Sequence, residues 1–207
     1  VKQAFVDPYC YPGTNVLKNL ADIRDRDMLE MTEAALTASQ TLLVETSFSP
    51  PYDLAKLLLI HRTLFGKLYP FAGQVRVHTG RITKVRASGY AVVYCDSAFI
   101  PEQIGLVFRR LAAEGYLTGM PQQAFIERAA HFYGELDAVH PFREGNSRTL
   151  RLFFSGLAQT AGYQLDWSIL AAEEGLREQL YAARDLAVMH GDSASLAAIF
   201  ASILSPL

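Results

Sequence analysis

"AFIERAAHFYGELDAVHPFREGNSRTLRLFFSGLA", residues 124–158, reads as two amphipathic helices separated by a short polar loop. Phe125, Ala129, Phe132, Leu136 and Val139 recur at helical spacing and predict a helix over residues 121–139. Leu150, Phe154, Leu157 and Ala161 predict a second one that starts near Asn146. Between them, Pro141 disfavours helical geometry at His140, which ends the first helix and biases His140 towards extended backbone. Phe142 is the apolar residue that anchors the loop to the core. Gly145, Asn146 and Ser147 fall at a helix start, where backbone N–H groups have no intrahelical acceptor and attract anions. Arg148 and Arg151, three positions apart, lie roughly on one helical face, one turn from those amides.

These residue types suit a phosphate chain. Two permanent cations beside an amide nest neutralise a di- or triphosphate better than a single carboxylate. Glu144 can hold a hard cation such as Mg²⁺ against phosphate oxygens. His140, sheltered at the end of an apolar stripe, can act as general base on an attacking hydroxyl. Taken singly, each residue has a plainer role: His140 as a core-edge or capping group, Glu144 as a surface acid or partner of Arg148, Asn146 as an N-cap. Their convergence on one helix start favours a site. It is not a Walker loop, since no lysine follows the isolated Gly145.

Outward from this segment the pattern stays helical. Residues 16–40 read as helical, with "DIRDRD" as a polar break or start. Pro51 fits the first turn of a helix whose apolar positions are Leu54, Leu57, Leu58, His61, Leu64 and Phe65. Further helices are expected over residues 100–115, in "DWSILAAEEGLREQLYAARDLAV", and in "DSASLAAIFASIL", capped by Asp192 or Ser193. Residues 76–96 differ. Short β-branched and aromatic stretches divided by glycines predict a hairpin flap there. Arg76, Arg81, Lys84 and Arg86 make it basic, either as an ordinary solvated surface or as a flap beside an anion site. Residues 1–15 have turn chemistry and read as an ordered arm. The expectation is one all-α, mainly helical domain over residues 1–207 with a small β-hairpin flap.

With 50% apolar and 19% charged residues the chain can fill a core, and a net charge of -2 argues against a general nucleic-acid binder. No apolar run reaches the roughly 20 residues that span a bilayer. Cys10 and Cys95 lack metal-site spacing and read as reduced thiols. Val1 in place of methionine suggests a processed or trimmed piece.

"HPFREGNSRTLR", residues 140–151, resembles the signature of the Fic family, His-x-Phe-x-Asp/Glu-Gly-Asn-Gly-Arg-x-x-Arg. His140, Phe142, Glu144, Gly145, Asn146, Arg148 and Arg151 agree; Ser147 stands where glycine is usual. "YPGTNVLKNLADIRD", "LLLIHRTLFGKLYPFAGQVR" and "LAQTAGYQLDW" extend the resemblance over nearly the whole chain. It implies a helical Fic-type bundle and transfer of AMP from ATP to a Tyr, Thr or Ser hydroxyl of a protein. In that scheme His140 is the base, Phe142 the buried anchor and Glu144 the Mg²⁺ carboxylate. Gly145, Asn146 and Ser147 surround the phosphates with Arg148, and Arg151 meets the far end of the triphosphate. The flap residues Thr83, Lys84, Val85, Arg86 and Tyr90 would register an extended target segment by strand addition. Ser147 cannot freely adopt positive φ and implies altered phosphate affinity or nucleotide preference. It also leaves open a catalytically impaired nucleotide- or partner-binding module, or transfer of another phosphate-containing group.

Many members are silenced by Ser/Thr-x-x-x-Glu-Gly/Asn, whose glutamate pairs with the second arginine. Thr41–Glu45 has the spacing but is followed by Thr46, and the tail after Asp192 has no glutamate. The resemblance is therefore to members controlled by a separate small antitoxin in the bacterial cytoplasm, or to domains of secreted effectors. In the toxin branch, type II topoisomerases are the target class.

Overall fold

Helix α4, Gln122–Val139, is the axis about which the other elements pack. This is a computed structural model, and it describes residues 6–46, 48–173 and 175–207. Phe125, Ala129, Phe132 and Leu136 on the predicted stripe are fully buried, as is Tyr133 beside them. They face α3 (Ile100–Ala113), α5 (Asn146–Thr160), α7 (Leu176–His190) and α8 (Ala194–Ile203). A second layer of α1 (Arg26–Glu45) and α2 (Leu54–Phe65) closes over the other side of α5. The helix starts are set by side chains. Asp25 accepts a hydrogen bond from the N–H of Met28 at 2.8 Å, and Asp53 one from Lys56 at 2.9 Å.

Two local expectations change. Pro51 lies before α2, which Asp53 caps, and not in its first turn. Residues 16–25 are not helical, and α1 begins only at Arg26 and runs on to Glu45. Here Asn19 holds the backbone of its own loop, donating to the carbonyls of Leu17 and Ile23 and accepting from the N–H of Ile23. Such local bonds compete with a helix, and the Asp25 cap then starts one afresh. Of the expected arm, residues 1–5 lie outside the described residues, while residues 6–15 form turns with a single bridge from Cys10 to Leu17.

The predicted hairpin is β1 (Arg81–Val85) paired antiparallel with β2 (Ala91–Asp96), with Lys84 opposite Val92. A second small antiparallel pair joins β3 (Tyr163–Leu165) to β4 (Leu204–Pro206), drawing the C-terminal residues against the end of α5. The short α6 (Ile169–Ala172) lies between β3 and α7. At α8 the cap position is Ser193, but Asp192 supplies the oxygen, 2.9 Å from the N–H of Ala194. The architecture is predominantly helical with a hairpin flap, as expected, and the β3–β4 pair is a second small antiparallel sheet beyond that expectation. Cys10 and Cys95 are free, and no described helix is long and apolar enough to cross a membrane.

Candidate active site

At the end of α4, His140 takes left-handed backbone angles, φ 47 and ψ 61, and not the extended geometry that Pro141 favours. The tertiary structure overrides the local preference. The His140 N–H closes the helix onto the Leu136 carbonyl, and the His140 carbonyl accepts from Nε of Arg76 at 2.8 Å. Arg76 is fully buried, and it also donates to the hydroxyl of Thr79 and to the carbonyls of Gly80 and Cys95. It therefore ties the histidine loop to both ends of the flap. His140 is 2% exposed, and its ring stacks on Tyr94 at 3.9 Å. Burial pushes the Tyr94 hydroxyl up to about 12, so that neighbour stays neutral.

The loop after His140 is latched from beneath. Phe142 is fully buried and stacks on His61 at 3.8 Å. The Gly73 N–H donates to Nδ1 of His61, so Nε2 carries the ring proton and donates to the Glu144 carbonyl at 3.0 Å. Burial holds the His61 pKa down at about 4, which keeps that pattern intact at neutral pH. The Asn146 side chain accepts from the Phe142 N–H at 2.9 Å and donates to the Phe142 carbonyl at 2.8 Å. Gly145 has φ 79, and a Cβ there would lie 2.3 Å from the Phe65 ring. The cap position of α5 is thus Gly145, with Asn146 as the first helical residue. Ser147 is an ordinary helical residue that needs no positive φ, so the positive angle falls on the glycine before it.

A cavity of about 120 Å³ opens over this helix start, lined by Ile82, Lys84, His140, Arg143, Glu144, Gly145, Asn146, Ser147 and Arg148. The structure therefore gathers most of the expected residues and adds Arg143, whose Nε pairs with Asp7 at 2.7 Å. The Gly145 N–H points at Oε1 of Glu144 at 2.9 Å. The first backbone bond of α5 runs from Thr149 to the Gly145 carbonyl, so the preceding helical amides have no acceptor within the helix. Arg148 leans over Phe65 at 4.8 Å, pairs with Glu33 of α1 and sits 3.7 Å from Glu144. Glu33 also accepts from the Tyr69 hydroxyl. Arg151 does not line the cavity. One turn further along, its guanidinium lies 5.7 Å over Trp167, and among the described residues it forms no ion pair. A hollow of about 500 Å³ lined by Arg26, Leu29, Glu33 and Tyr69 meets the cavity at Arg143 and Glu144.

The flap covers one side. Thr83, Lys84 and Val85 lie on β1, whose outer edge has no strand partner among the described residues. Lys84 reaches the cavity. Arg86 and Tyr90 are both engaged by α7: Arg86 pairs with Asp185, and the Tyr90 hydroxyl donates to the same carboxylate at 2.7 Å. Sequence reading missed Glu33, Tyr69, Asp137, Arg184 and Asp185, and placed His61 only as an apolar helix position. The one available signal was Asp137, an acid on a stripe otherwise committed to the core.

The description Fic/DOC family matches residues 51–158. The chain belongs to the Fic/DOC family. It is 37% identical over 185 residues to the protein adenylyltransferase VbhT of Bartonella schoenbuchensis, covering 87% of this chain and 37% of that protein. It is 32% identical over 199 residues to the Escherichia coli (strain K12) protein named "Probable protein adenylyltransferase Fic", covering 96% of this chain and 92% of that one. The chain thus spans little more than a third of the first relative and nearly all of the second. Among solved structures, the effector BepC of Bartonella tribocorum with bound AMPPNP matches with a TM-score of 0.84 and 26% identity, covering 99% of this chain and 100% of that one. The Fic domain of a VirB-translocated effector from Bartonella quintana with bound ADP matches at 0.82 and 28%, covering 96% and 94%. The residues matched to the family, 51–158, include the flap, α4 and the start of α5.

Proposed function

We propose that this chain, taken as one Fic-type domain over residues 1–207, is a protein adenylyltransferase. It moves AMP from ATP to a Tyr, Thr or Ser hydroxyl of a protein. The observation that carries the reading is the single cavity in which His140, Glu144, Arg148 and the open start of α5 meet beneath a strand edge. His140 takes the proton of the target hydroxyl as its oxygen attacks the α-phosphorus. The bond to the bridging oxygen of the β-phosphate breaks, and pyrophosphate leaves. The amides of Asn146 and Ser147 and the guanidinium of Arg148 carry the phosphate charge, with Gly145 shaping the turn. Arg151 is assigned the far end of the triphosphate. Phe142 keeps the loop in register by its stack on His61.

Glu144 fits a Mg²⁺ site of the kind that needs phosphate oxygens to complete it. It offers one half-exposed carboxylate on the cavity wall, and the described residues contain no cluster of metal ligands. When bound, the ion neutralises charge on the phosphates. The target segment adds to the free edge of β1 along Thr83, Lys84 and Val85, while Arg86 and Tyr90 brace the hairpin through Asp185.

Control is assigned to a small helical antitoxin that supplies a glutamate to Arg151. The support is that Nε of Arg151 is buried without a hydrogen-bond partner. The target class proposed is a nucleotide-dependent bacterial protein such as a type II topoisomerase subunit, with the bacterial cytoplasm as the site of action. Bartonella effectors among the relatives support a secreted form as the second reading. The test is incubation of the chain with ATP·Mg²⁺ and a bacterial lysate, read by intact-protein mass. AMP adducts that disappear with His140→Ala are expected. Absence of adducts from the unmodified chain with any nucleoside triphosphate sinks the reading.

A further inference from the structure

Behind His140 lies a buried ion pair that the proposed chemistry leaves without a task. Asp137 of α4 is fully buried, and Arg184 of α7 is 6% exposed. Nε of Arg184 donates to Oδ2 of Asp137 at 2.9 Å and Nη2 to Oδ1 at 2.7 Å, a two-point contact. The third guanidinium nitrogen, Nη1, donates to Oγ of Ser147 at 3.1 Å, at the start of α5. Oδ1 of Asp137 is also 3.7 Å from Nδ1 of His140. That Nδ1 is itself buried and has no hydrogen-bond partner among the described residues. Removing two charges from water is costly, and a well-packed apolar pair stabilises a fold about as well. Stability alone therefore does not account for an Asp–Arg pair placed between a histidine and a helix start.

We propose that Asp137 and Arg184 are the positioning pair of this site: Asp137 keeps the proton of neutral His140 on Nδ1, leaving Nε2 to accept one, and Arg184 locks Asp137 and Ser147 into one frame. The inference rests on the adenylyltransferase reading, in which His140 is the base. The groups facing the ring explain why an anion is needed. Lys84 of β1 and Arg184 of α7 are cations, Tyr94 of β2 is a neutral stacked ring, and Arg76 holds the backbone carbonyl. Arg143, Glu144 and Arg148 share the cavity. Burial is the largest influence and pushes His140 below the ordinary histidine value, with Lys84 and Arg184 adding to it; Asp137 opposes them. Burial would raise the Asp137 carboxyl, but Arg184 and the histidine outweigh it and hold it below the usual carboxylate range. The carboxylate is thus ionised when His140 takes the proton, and it stabilises the imidazolium that forms. Contacts of this kind often run long before substrate is bound.

Two variants of the full chain test this, Asp137→Asn and the double Asp137→Asn/Arg184→Gln, which removes the cation left unpaired by the first. Histidine-ring ¹⁵N NMR, with His140→Gln to assign the signal, reads which nitrogen carries the proton. Transfer of labelled AMP to lysate protein, followed against pH, reads the base. The expected results are an Nδ1–H ring in the unmodified chain and loss of that preference in a folded variant. Transfer should fall roughly tenfold or more, with ATP affinity by calorimetry within about twofold. The acidic limb of the rate profile should move to lower pH, because a base deprived of its neighbouring anion loses its proton more readily. If His140 keeps the same tautomer and the same acidic limb in both variants, the pair is merely structural and the inference is overturned. Failure of the unmodified chain to transfer AMP would instead overturn the parent reading, and the NMR result still decides whether Asp137 holds the ring.

Discussion

Gly145→Ala is expected to damage the site through two separable costs. The first is backbone strain. Gly145 sits at φ 79, where an L side chain costs about 1–2 kcal/mol. The second is steric. The new Cβ would lie 2.3 Å from Cε2 and Cζ of Phe65, more than 1 Å inside contact distance. Phe65 is 1% exposed and hemmed in by His61 at 4.9 Å and by Arg148 at 4.8 Å, so its ring has little room to retreat. Overpacking of this sort costs about 1–3 kcal/mol. The sum, about 2–5 kcal/mol, is a large part of the roughly 5–15 kcal/mol that holds a domain together. For a chain of this size it lowers Tm by about 4–20 °C. Gly162→Ala is the control, since Gly162 has φ 90 but open space around its Cβ, and it should lose only the first cost. Thermal unfolding followed by circular dichroism compares the two, and calorimetry with ATP reads the phosphate site. If Gly145→Ala melts no lower than Gly162→Ala and binds ATP normally, the packing argument at Phe65 is wrong.

Glu33→Gln should free Arg148 from a competing carboxylate; a partly exposed pair of this kind is worth about 1 kcal/mol, so ATP should bind about fivefold tighter by calorimetry. Unchanged or weaker binding would show that Glu33 does not compete with the nucleotide. The His61 latch gives a pH dependence of folding. His61 binds its proton near pH 4 when folded and near the ordinary 6.5 when unfolded, so the unfolded chain takes up the extra proton as pH falls. The stability contributed by keeping this ring neutral is present above about pH 6.5 and is lost towards pH 4, on the order of 3 kcal/mol in all. Urea unfolding at several pH values should show that slope, and His61→Gln should remove it; equal slopes would contradict a His61 ring kept neutral by burial. Glu144→Ala should leave unfolding unchanged while abolishing the dependence of AMP transfer on Mg²⁺ concentration. Retained Mg²⁺ dependence would place the metal elsewhere.

Several parts of this protein were legible in its residues alone. The stripe from Phe125 to Val139 specified α4 because its period matches the helical repeat, and Pro141 marked where it ends. Residues 140–151 marked a loop that ends in a helix start, because a glycine turn and the amides that follow it are local features. The hairpin at residues 81–96 was readable from β-branched residues divided by glycines. The left-handed His140, the latch from His61 to the Glu144 carbonyl and the pairing of Arg148 with Glu33 were not. The sequence alone makes Arg76 only one cation of a basic flap, and it is fully buried; Arg86 and Tyr90, expected as target-docking residues, are held by Asp185. Each of these depends on contacts between residues far apart in the chain, which period and propensity do not encode. What the chain determined locally was which residues could carry chemistry. Which way they point was decided by tertiary packing, because a buried polar group must find its partner wherever the fold brings one within reach.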